Sequence, residues 1–316
     1  MNKAIKIVFM GTPDFAVTTL KTILDHKYNV VGVITAPDKP AGRGRKLNES
    51  AVKVFAKDKG LNILQPTNLK NPDFLEDLKA LEADLQIIVA FRMLPKLVWD
   101  MPKHGTFNLH ASLLPNYRGA APINWAIING ETKTGVSTFF IDERIDTGEM
   151  ILQQDIAIDP SENAGSLHDK LMTIGSDLVI DTIKLIETGA VKTTPQPEDA
   201  VIRTAYKLDR DNCKIDFSDT IDNIYNKIRG LSPYPAAWCE LVNNNDVLDI
   251  KIYKAEKEID THTLETGTII SDKSTLKVAV KEGFIKILDL KLPGKRNMDV
   301  KSLLNGYRFE EDAKLR

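Results

Sequence analysis

Cysteine is almost missing from this chain: Cys213 and Cys239 are the only two among 316 residues. Two thiols without a metal-type spacing exclude a disulfide framework and point to a reducing compartment. The five histidines show no ligand spacing either, so no metal is expected. An excess of one charge is also lacking, since 42 Lys+Arg stand against 44 Asp+Glu, a net charge of −2. That balance excludes wholesale electrostatic capture of nucleic acid or membrane, and leaves room only for local basic patches. No apolar run approaches the length needed to span a membrane. Residues 1–4 pass straight into a strand pattern, leaving no room for a signal or transit peptide. A cytoplasmic location is the expectation. There is no internal repeat and no low-complexity run.

What is present fits a two-domain protein with proper cores, at 42% hydrophobic and 27% charged residues. An apolar run at 5–10 ends at Gly11, Thr12 and Pro13, with Thr12 placed to cap a helix. Phe15, Ala16, Leu20, Ile23 and Leu24 then recur at helical spacing, and 30–34 is again a strand. This opening resembles that of a nucleotide-binding fold, yet only Gly11 stands where G-x-G-x-x-G is required, so a dinucleotide site is not expected. Gly11 reads either as a tight turn or as a close approach to a ligand. Helices are expected at 51–59, 72–82 and 163–188, and strands at 61–64, 85–90, 135–141 and 151–156. Such alternation indicates an α/β domain with a doubly wound, mostly parallel sheet. Thr193, Thr194, Pro195, Gln196, Pro197, Glu198 and Asp199 lie in a stretch poor in apolar side chains, which reads as a linker. Beyond it come a helix at 221–228, a rigid turn at 229–235 and short strands at 237–241, 250–253, 268–270, 277–280 and 283–290. These predict a small C-terminal β-barrel of the oligonucleotide-binding type. The domains are accordingly placed at 1–189 and 208–316, with the linker at 190–207.

The most informative stretch is 104–122. Thr106, Phe107, Asn108, Leu109 and His110 alternate as a strand does, so Asn108 and His110 share a face. Pro115 and Gly119 end the strand and Pro122 starts a helix, which leaves the pair near a strand's carboxyl end, where open α/β sheets bind ligands. An amide donor beside an imidazole suits a carbonyl that gains negative charge. The plainer alternative is a hydrogen-bonded core histidine beside a turn-forming asparagine. Residues 36–47, Ala-Pro-Asp-Lys-Pro-Ala-Gly-Arg-Gly-Arg-Lys-Leu, form a positive loop leaving the same edge. It is either solvated surface or a functional loop. Asp146, Thr147 and Gly148 read as a turn between two strands. Lys286, Lys291, Lys295, Arg296 and Lys301 gather against Asp289 and Asp299, a pattern that is usually a solvated lysine face.

With Asn108, His110, the run Ser112, Leu113, Leu114, Pro115 and the Asp146-Thr147-Gly148 turn in view, the chain resembles the folate-dependent formyltransferases. The resemblance extends over nearly the whole chain, through 11–16, the loop at 37–47, 117–122 and Pro233, Tyr234 and Pro235. Asn-x-His followed by Ser-Leu-Leu-Pro marks the family broadly. The Pro-Ala-Gly-Arg-Gly loop and the appended barrel mark its branch that acts on methionyl-tRNA. One departure lies at Val89, Ala90, Phe91, Arg92, Met93, Leu94 and Pro95, where the family commonly has Val-Ala-Tyr-Gly and a longer turn.

The resemblance implies the formyltransferase fold and an enzyme that moves the formyl group of 10-formyltetrahydrofolate onto the α-amino group of methionyl-initiator-tRNA. It implies a metal-free monomer. Asn108 and His110 would stabilise the tetrahedral oxyanion, with Asp146 orienting the imidazole and helping to move the amine's proton. Ser112, Leu113, Leu114, Pro115, Phe91 and Arg92 would line the folate site. Lys39, Arg43, Arg45, Lys46, Lys295 and Arg296 would meet the tRNA, Arg43 entering the acceptor stem where the first pair is weak and the others holding phosphates. The competing readings are a formyltransferase for a small amine (an amino sugar or glycinamide ribonucleotide), a formyltetrahydrofolate hydrolase, and a non-catalytic RNA-binding module. The barrel and the basic loop argue against the first, and the intact Asn108, His110 and Asp146 against the last.

Overall fold

Apart from its first residue, Lys6–Gly11 (β1) is buried along its whole length, as the inner strand of a parallel sheet with both faces covered must be. It opens a computed structural model that describes residues 5–41, 46–197, 202–244 and 246–316. In chain order follow α1 (Asp14–Asp25), β2 (Asn29–Ile34), β3 (Lys39–Ala41), β4 (Lys46–Asn48), α2 (Ala51–Asp58), β5 (Ile63–Leu64) and α3 (Pro72–Ala80). Next are β6 (Leu85–Val89), α4 (Lys96–Trp99), β7 (Thr106–His110), β8 (Arg118–Gly119), α5 (Pro122–Ile128), β9 (Lys133–Phe140), β10 (Met150–Ala157), α6 (Ala164–Glu187) and β11 (Thr204–Ala205). The remainder comprises α7 (Ile221–Leu231), β12 (Ala237–Asn243), β13 (Asp246–Ile259), β14 (Ile269–Ser271), β15 (Leu276–Val280), β16 (Gly283–Lys291), β17 (Met298–Asp299), α8 (Val300–Leu304) and β18 (Lys314–Leu315).

Two compact units result, and neither is one continuous stretch. The first is Met1–Gly119, Gly135–Ile156 and His168–Thr204; the second is Ala120–Thr134, Ala157–Leu167 and Ala205–Arg316. The first carries a seven-stranded sheet in the order β10-β9-β7-β6-β1-β2-β5. Its pairings from β7 through β5 are parallel, and β9 runs antiparallel to β7. The α/β class with a doubly wound, mostly parallel sheet is therefore what the chain adopts. Val8, Met10, Ile34 and Ile88 pack with Phe74, Leu78 and Val98 of α3 and α4 on one face. Phe107 and Leu109 point the other way, where α6 comes so close that a Cβ on Gly175 would lie 2.9 Å from Leu109 Cδ2. This alternation leaves Asn108 and His110 on the opposite face of β7 from Phe107.

Three local expectations are corrected. Pro13, not Thr12, occupies the N-cap of α1, and no side chain caps it. Gly11 has a packing role that neither expectation named: a Cβ there would sit 2.5 Å from Ala16 Cβ and 3.0 Å from the Val89 carbonyl, so its bareness lets α1 close on the sheet. The positive loop is framed by a two-stranded antiparallel ribbon, β3 with β4, in the register Lys39 to Asn48 and Pro40 to Leu47. A proline is tolerated there because such a ribbon has edges that need no donor. At its base Asp38 accepts from Gln65 at 2.9 Å and pairs with Lys53 at 2.5 Å. Those two partners hold the Asp38 carboxyl below the usual carboxylate range, Gln65 contributing most.

In the second unit β14-β15-β16-β13-β12-β18 form one sheet, with β17 beside β16. A bridge between Thr268 and Lys314 joins its two ends, and Ile269 N donates to the Ala313 carbonyl at 3.2 Å. The sheet is thus a nearly closed, barrel-like one, which leaves little free edge. Ile221, Ile224, Ile228 and Leu231 turn one face of α7 into its core. The predicted strand at 250–253 is the middle of a much longer β13, which continues past register shifts between Ile252 and Ala255. A bulge bends the strand and lets it serve further round the barrel. Among the described residues no helix is long and apolar enough to cross a membrane.

Candidate active site

β7 ends the parallel run and delivers two polar side chains at its carboxyl end. Register pairs Asn108 with Ile88 and Phe139, and His110 with Ser137, so the strand is held from both sides. His110 is 6% exposed, and its Nε2 lies 2.8 Å from the carbonyl of Tyr117. A carbonyl only accepts, so Nε2 carries the hydrogen and Nδ1 is the ring nitrogen left to face the site. Nδ1 stands 3.8 Å from Asp146 Oδ2, too long for a hydrogen bond and close enough for an ion pair. Asn108 Oδ1 is buried with no hydrogen-bond partner. A buried amide atom left unpaired costs about 1–3 kcal/mol, and a substrate carrying hydrogen-bonding groups would relieve it.

Asp146 occupies its place by virtue of a strained turn. Its φ is +54°, in the left-handed region that non-glycine residues seldom take. Its Oδ2 accepts from Gly119 N at 2.9 Å. Thr147 Oγ1 donates to both oxygens of Asp142, at 2.7 and 2.9 Å, which closes the turn upon itself. Gly148 passes so near β9 that a Cβ would lie 1.7 Å from the Phe140 carbonyl oxygen. A residue outside the sequence-predicted set completes the arrangement. Gln196 Nε2 donates to the carbonyls of Asp146 (3.0 Å) and Gly148 (2.8 Å), and its Oε1 accepts from Arg118 Nε and Nη2 at 3.1 and 2.7 Å. Burial, aided by the neighbouring Arg144, pulls the Arg118 guanidinium below its ordinary value, though arginine remains a cation in proteins.

Of the residues expected at the folate, 112–115 form a turn whose polar atoms are already engaged. Ser112 Oγ donates to the Asn116 carbonyl (2.7 Å), Ser137 Oγ to the Ser112 carbonyl (2.6 Å) and Gln153 Nε2 to the Leu114 carbonyl (2.9 Å). The Leu114–Pro115 peptide is cis. Phe91 is half-buried against the core cluster that holds Ile88 and Leu94, and Ala90 before it has φ +48°. The Arg92 side chain turns back to donate to the Thr67 carbonyl at 2.9 Å and to that of Pro66. A cleft of about 440 Å³ is lined by Arg118, Phe140, Asp142, Arg144, Thr147 and Gln196 among others, and none of Asn108, His110 or Asp146 is among its lining residues.

Of the expected tRNA contacts, Lys39 is exposed on β3. Arg43, Arg45 and the side chain of Lys46 lie outside the described residues. Lys295 and Arg296 are exposed in the turn between β16 and β17. Lys286 from the same group pairs with Glu256 at 3.2 Å, and Asp299 is occupied in capping α8 through Ser302 N at 2.9 Å.

Comparison with known proteins bears on what this geometry serves. The family described as Formyl transferase matches residues 5–183, and its C-terminal domain matches 207–308. The chain belongs to the formyl transferase family. Among its relatives in this family, the methionyl-tRNA formyltransferase of Flavobacterium johnsoniae is 63% identical over 311 residues, covering 98% of this chain and 99% of the relative. That of Bacteroides fragilis is 52% identical over 317 residues, covering 99% and 98%. Among solved structures, the sugar 3N-formyltransferase WlaRD, obtained with dTDP and 5-N-formyl-THF, superposes with a TM-score of 0.63 at 24% identity, over 93% of this chain and 100% of that one. An N-formyltransferase from Helicobacter canadensis gives 0.65 at 22% identity, over 90% and 98%. At these identities the two structures speak for the formyl transferase fold alone.

Proposed function

We propose that this chain transfers the formyl group of 10-formyltetrahydrofolate to the α-amino group of methionyl-initiator-tRNA, in the cytoplasm. The observation that carries this reading is end-to-end similarity, at 63% and 52% identity, to proteins named methionyl-tRNA formyltransferase. The geometry supplies the chemistry. The amine's lone pair attacks the formyl carbon, a C–N bond forms, and the carbonyl oxygen takes up negative charge. The Asn108 amide N–H and a protonated His110, which donates from Nδ1 while Nε2 stays on the Tyr117 carbonyl, lie on one face at the end of β7 as donors for that charge in a site shielded from water. Collapse of the intermediate breaks the bond to N10 of the folate, and the proton lost by the amine ends on that nitrogen. Asp146, beside His110 Nδ1, orients the ring and relays the proton. Ser112, Leu113, Leu114, Pro115, Phe91 and Arg92 bound the folate side, the 112–115 turn as a rigid wall and Arg92 through backbone it braces.

The decisive measurement is formyl transfer to charged initiator tRNA and to charged elongator tRNA, with wild type and with Arg43→Ala. Efficient transfer to the initiator alone is expected. If Arg43 enters the acceptor stem, its removal lowers initiator kcat/KM strongly and narrows the gap between the two tRNAs. Equal proportional reductions would leave Arg43 holding a phosphate without reading the stem, and formyl release without an acceptor would mark a hydrolase instead.

Lys295 and Arg296 offer a second, independent prediction. Their charges stand exposed while that of Lys286 is paired. Reversing both to glutamate should weaken tRNA binding and flatten log Kd against log salt by about one unit for each phosphate no longer neutralised. An unchanged slope in a salt titration would place the electrostatic track elsewhere.

A further inference from the structure

The stretch after α6 looks like connecting chain, yet it lies along the Asp146 turn as a short backing strand. Thr194 exchanges both backbone hydrogen bonds with Met150, each at 2.9 Å. Thr193 Oγ1 donates to Glu149. Gln196, 7% exposed, then donates through one nitrogen to two carbonyls of the turn, those of Asp146 and Gly148. Its own oxygen is held from behind by two nitrogens of Arg118. The next residue after Arg118 is Gly119, whose N–H holds the Asp146 carboxylate. Arg118 and Gln196 therefore grip Asp146 at both ends, the backbone through Gln196 and the carboxylate through Gly119. A residue at φ +54° needs such over-determination, because left alone it would relax toward ordinary backbone.

We propose that Gln196 is a positioning residue of the formyl-transfer site, acting through Asp146: its paired donations fix the turn that aims the Asp146 carboxylate at His110. This rests on the reading of Asp146 as catalytic, and the experiment separates the two. Gln196→Met keeps the side chain's length and removes every hydrogen bond. Gln196→Glu keeps the acceptor for Arg118, removes the donations and sets a carboxylate against two carbonyls. Both should lower kcat by about ten- to a hundredfold, the scale of an ångström's misplacement of a catalytic group. KM for the formyl donor and for charged tRNA should stay within about threefold in both, because the Gln196 amide is spent on the Asp146 and Gly148 carbonyls and on Arg118. The sharper reading comes from combining Gln196→Met with Asp146→Asn. A residue that works through Asp146 has nothing left to position once that carboxylate is gone, so the second substitution should lower kcat by less than about threefold more.

Full multiplication of the two effects would overturn the proposal, since it is what a merely structural role predicts. Retention of normal kcat by Gln196→Glu would also overturn it, by showing that the Arg118 pairing alone matters. If Asp146→Asn is crippled while both Gln196 variants turn over normally, the proposal falls and the reading of Asp146 stands. If Asp146→Asn itself turns over normally, both fall together. Should the methionine variant melt below the assay temperature, Gln196→Glu, which retains the link to Arg118, answers the same question.

Discussion

Turnover by an Asn108→Ala variant falls about a hundredfold or more, the usual consequence of removing one donor from an oxyanion site. Donor and tRNA affinities change far less, because the missing interaction strengthens only as charge develops on the carbonyl oxygen. Asn108→Ala is a cleaner test of the proposed oxyanion site than His110→Ala. Asn108 Oδ1 has no partner, so truncation strands no group on the protein and folding stability should hold. His110→Ala should cripple turnover equally, but it also leaves the buried Tyr117 carbonyl without its 2.8 Å partner. That adds about 1–3 kcal/mol of destabilisation. Single-turnover rates at saturating donor and charged tRNA, read beside thermal midpoints, separate the two effects. Near-normal turnover in Asn108→Ala would remove it from the chemistry.

Gly148→Ala is expected to do comparable damage without touching a reacting atom. Its Cβ would lie 1.7 Å from the Phe140 carbonyl oxygen, a backbone atom that cannot swing aside as a side-chain tip would. Phe140 N also donates to the Glu149 carbonyl at 3.0 Å, so the turn and β9 must part across a bond that now joins them. Overpacking of this kind costs about 1–3 kcal/mol. The displaced turn carries Asp146 with it, and a further drop of about a hundredfold in kcat follows from misplacement alone. Thermal denaturation together with kcat per folded molecule tests this. A variant that loses stability while keeping full turnover would show that Asp146 tolerates a shifted turn.

These two residues also show what could be read from the chain and what could not. The placement of Asn108 with His110 at the end of β7 was legible because β7 alternates cleanly and ends at a proline-marked turn, so period and punctuation agreed. The first sheet and α7 were legible for the same reason. Asp146 was not: Asp-Thr-Gly is ordinary turn chemistry, and only the family resemblance singled it out. Gln196 was missed because it sits among Thr, Pro and Glu, where composition says connector. The one cue in reach was that an amide can satisfy several backbone groups at once, which becomes informative only when the opposing turn is known. The β3–β4 ribbon was hidden by its proline. The length of β13 was hidden by a bulge, which breaks the alternation by which strands are recognised. Barrel closure between Thr268 and Lys314 depends on pairing across more than forty positions, and local pattern carries no trace of it.

The interrupted make-up of the second unit bears on engineering. Ala120–Thr134 and Ala157–Leu167 belong with the barrel although they are encoded inside the sheet's sequence. Asn124 Nδ2 donates to the Gly230 carbonyl at 2.7 Å, and α5 fits so tightly on α7 that a Cβ on Gly230 would lie 2.7 Å from Ile128. A gene fragment for 208–316 would thus carry the barrel without the helix that covers its own α7, and would bare the side of α7 that carries Gly230. Grafting that fragment onto another catalytic sheet would require the host to supply a matching helix from its interior loops. A transplant of the barrel therefore has to include Ala120–Thr134 and Ala157–Leu167, or replacements for them, beside 208–316.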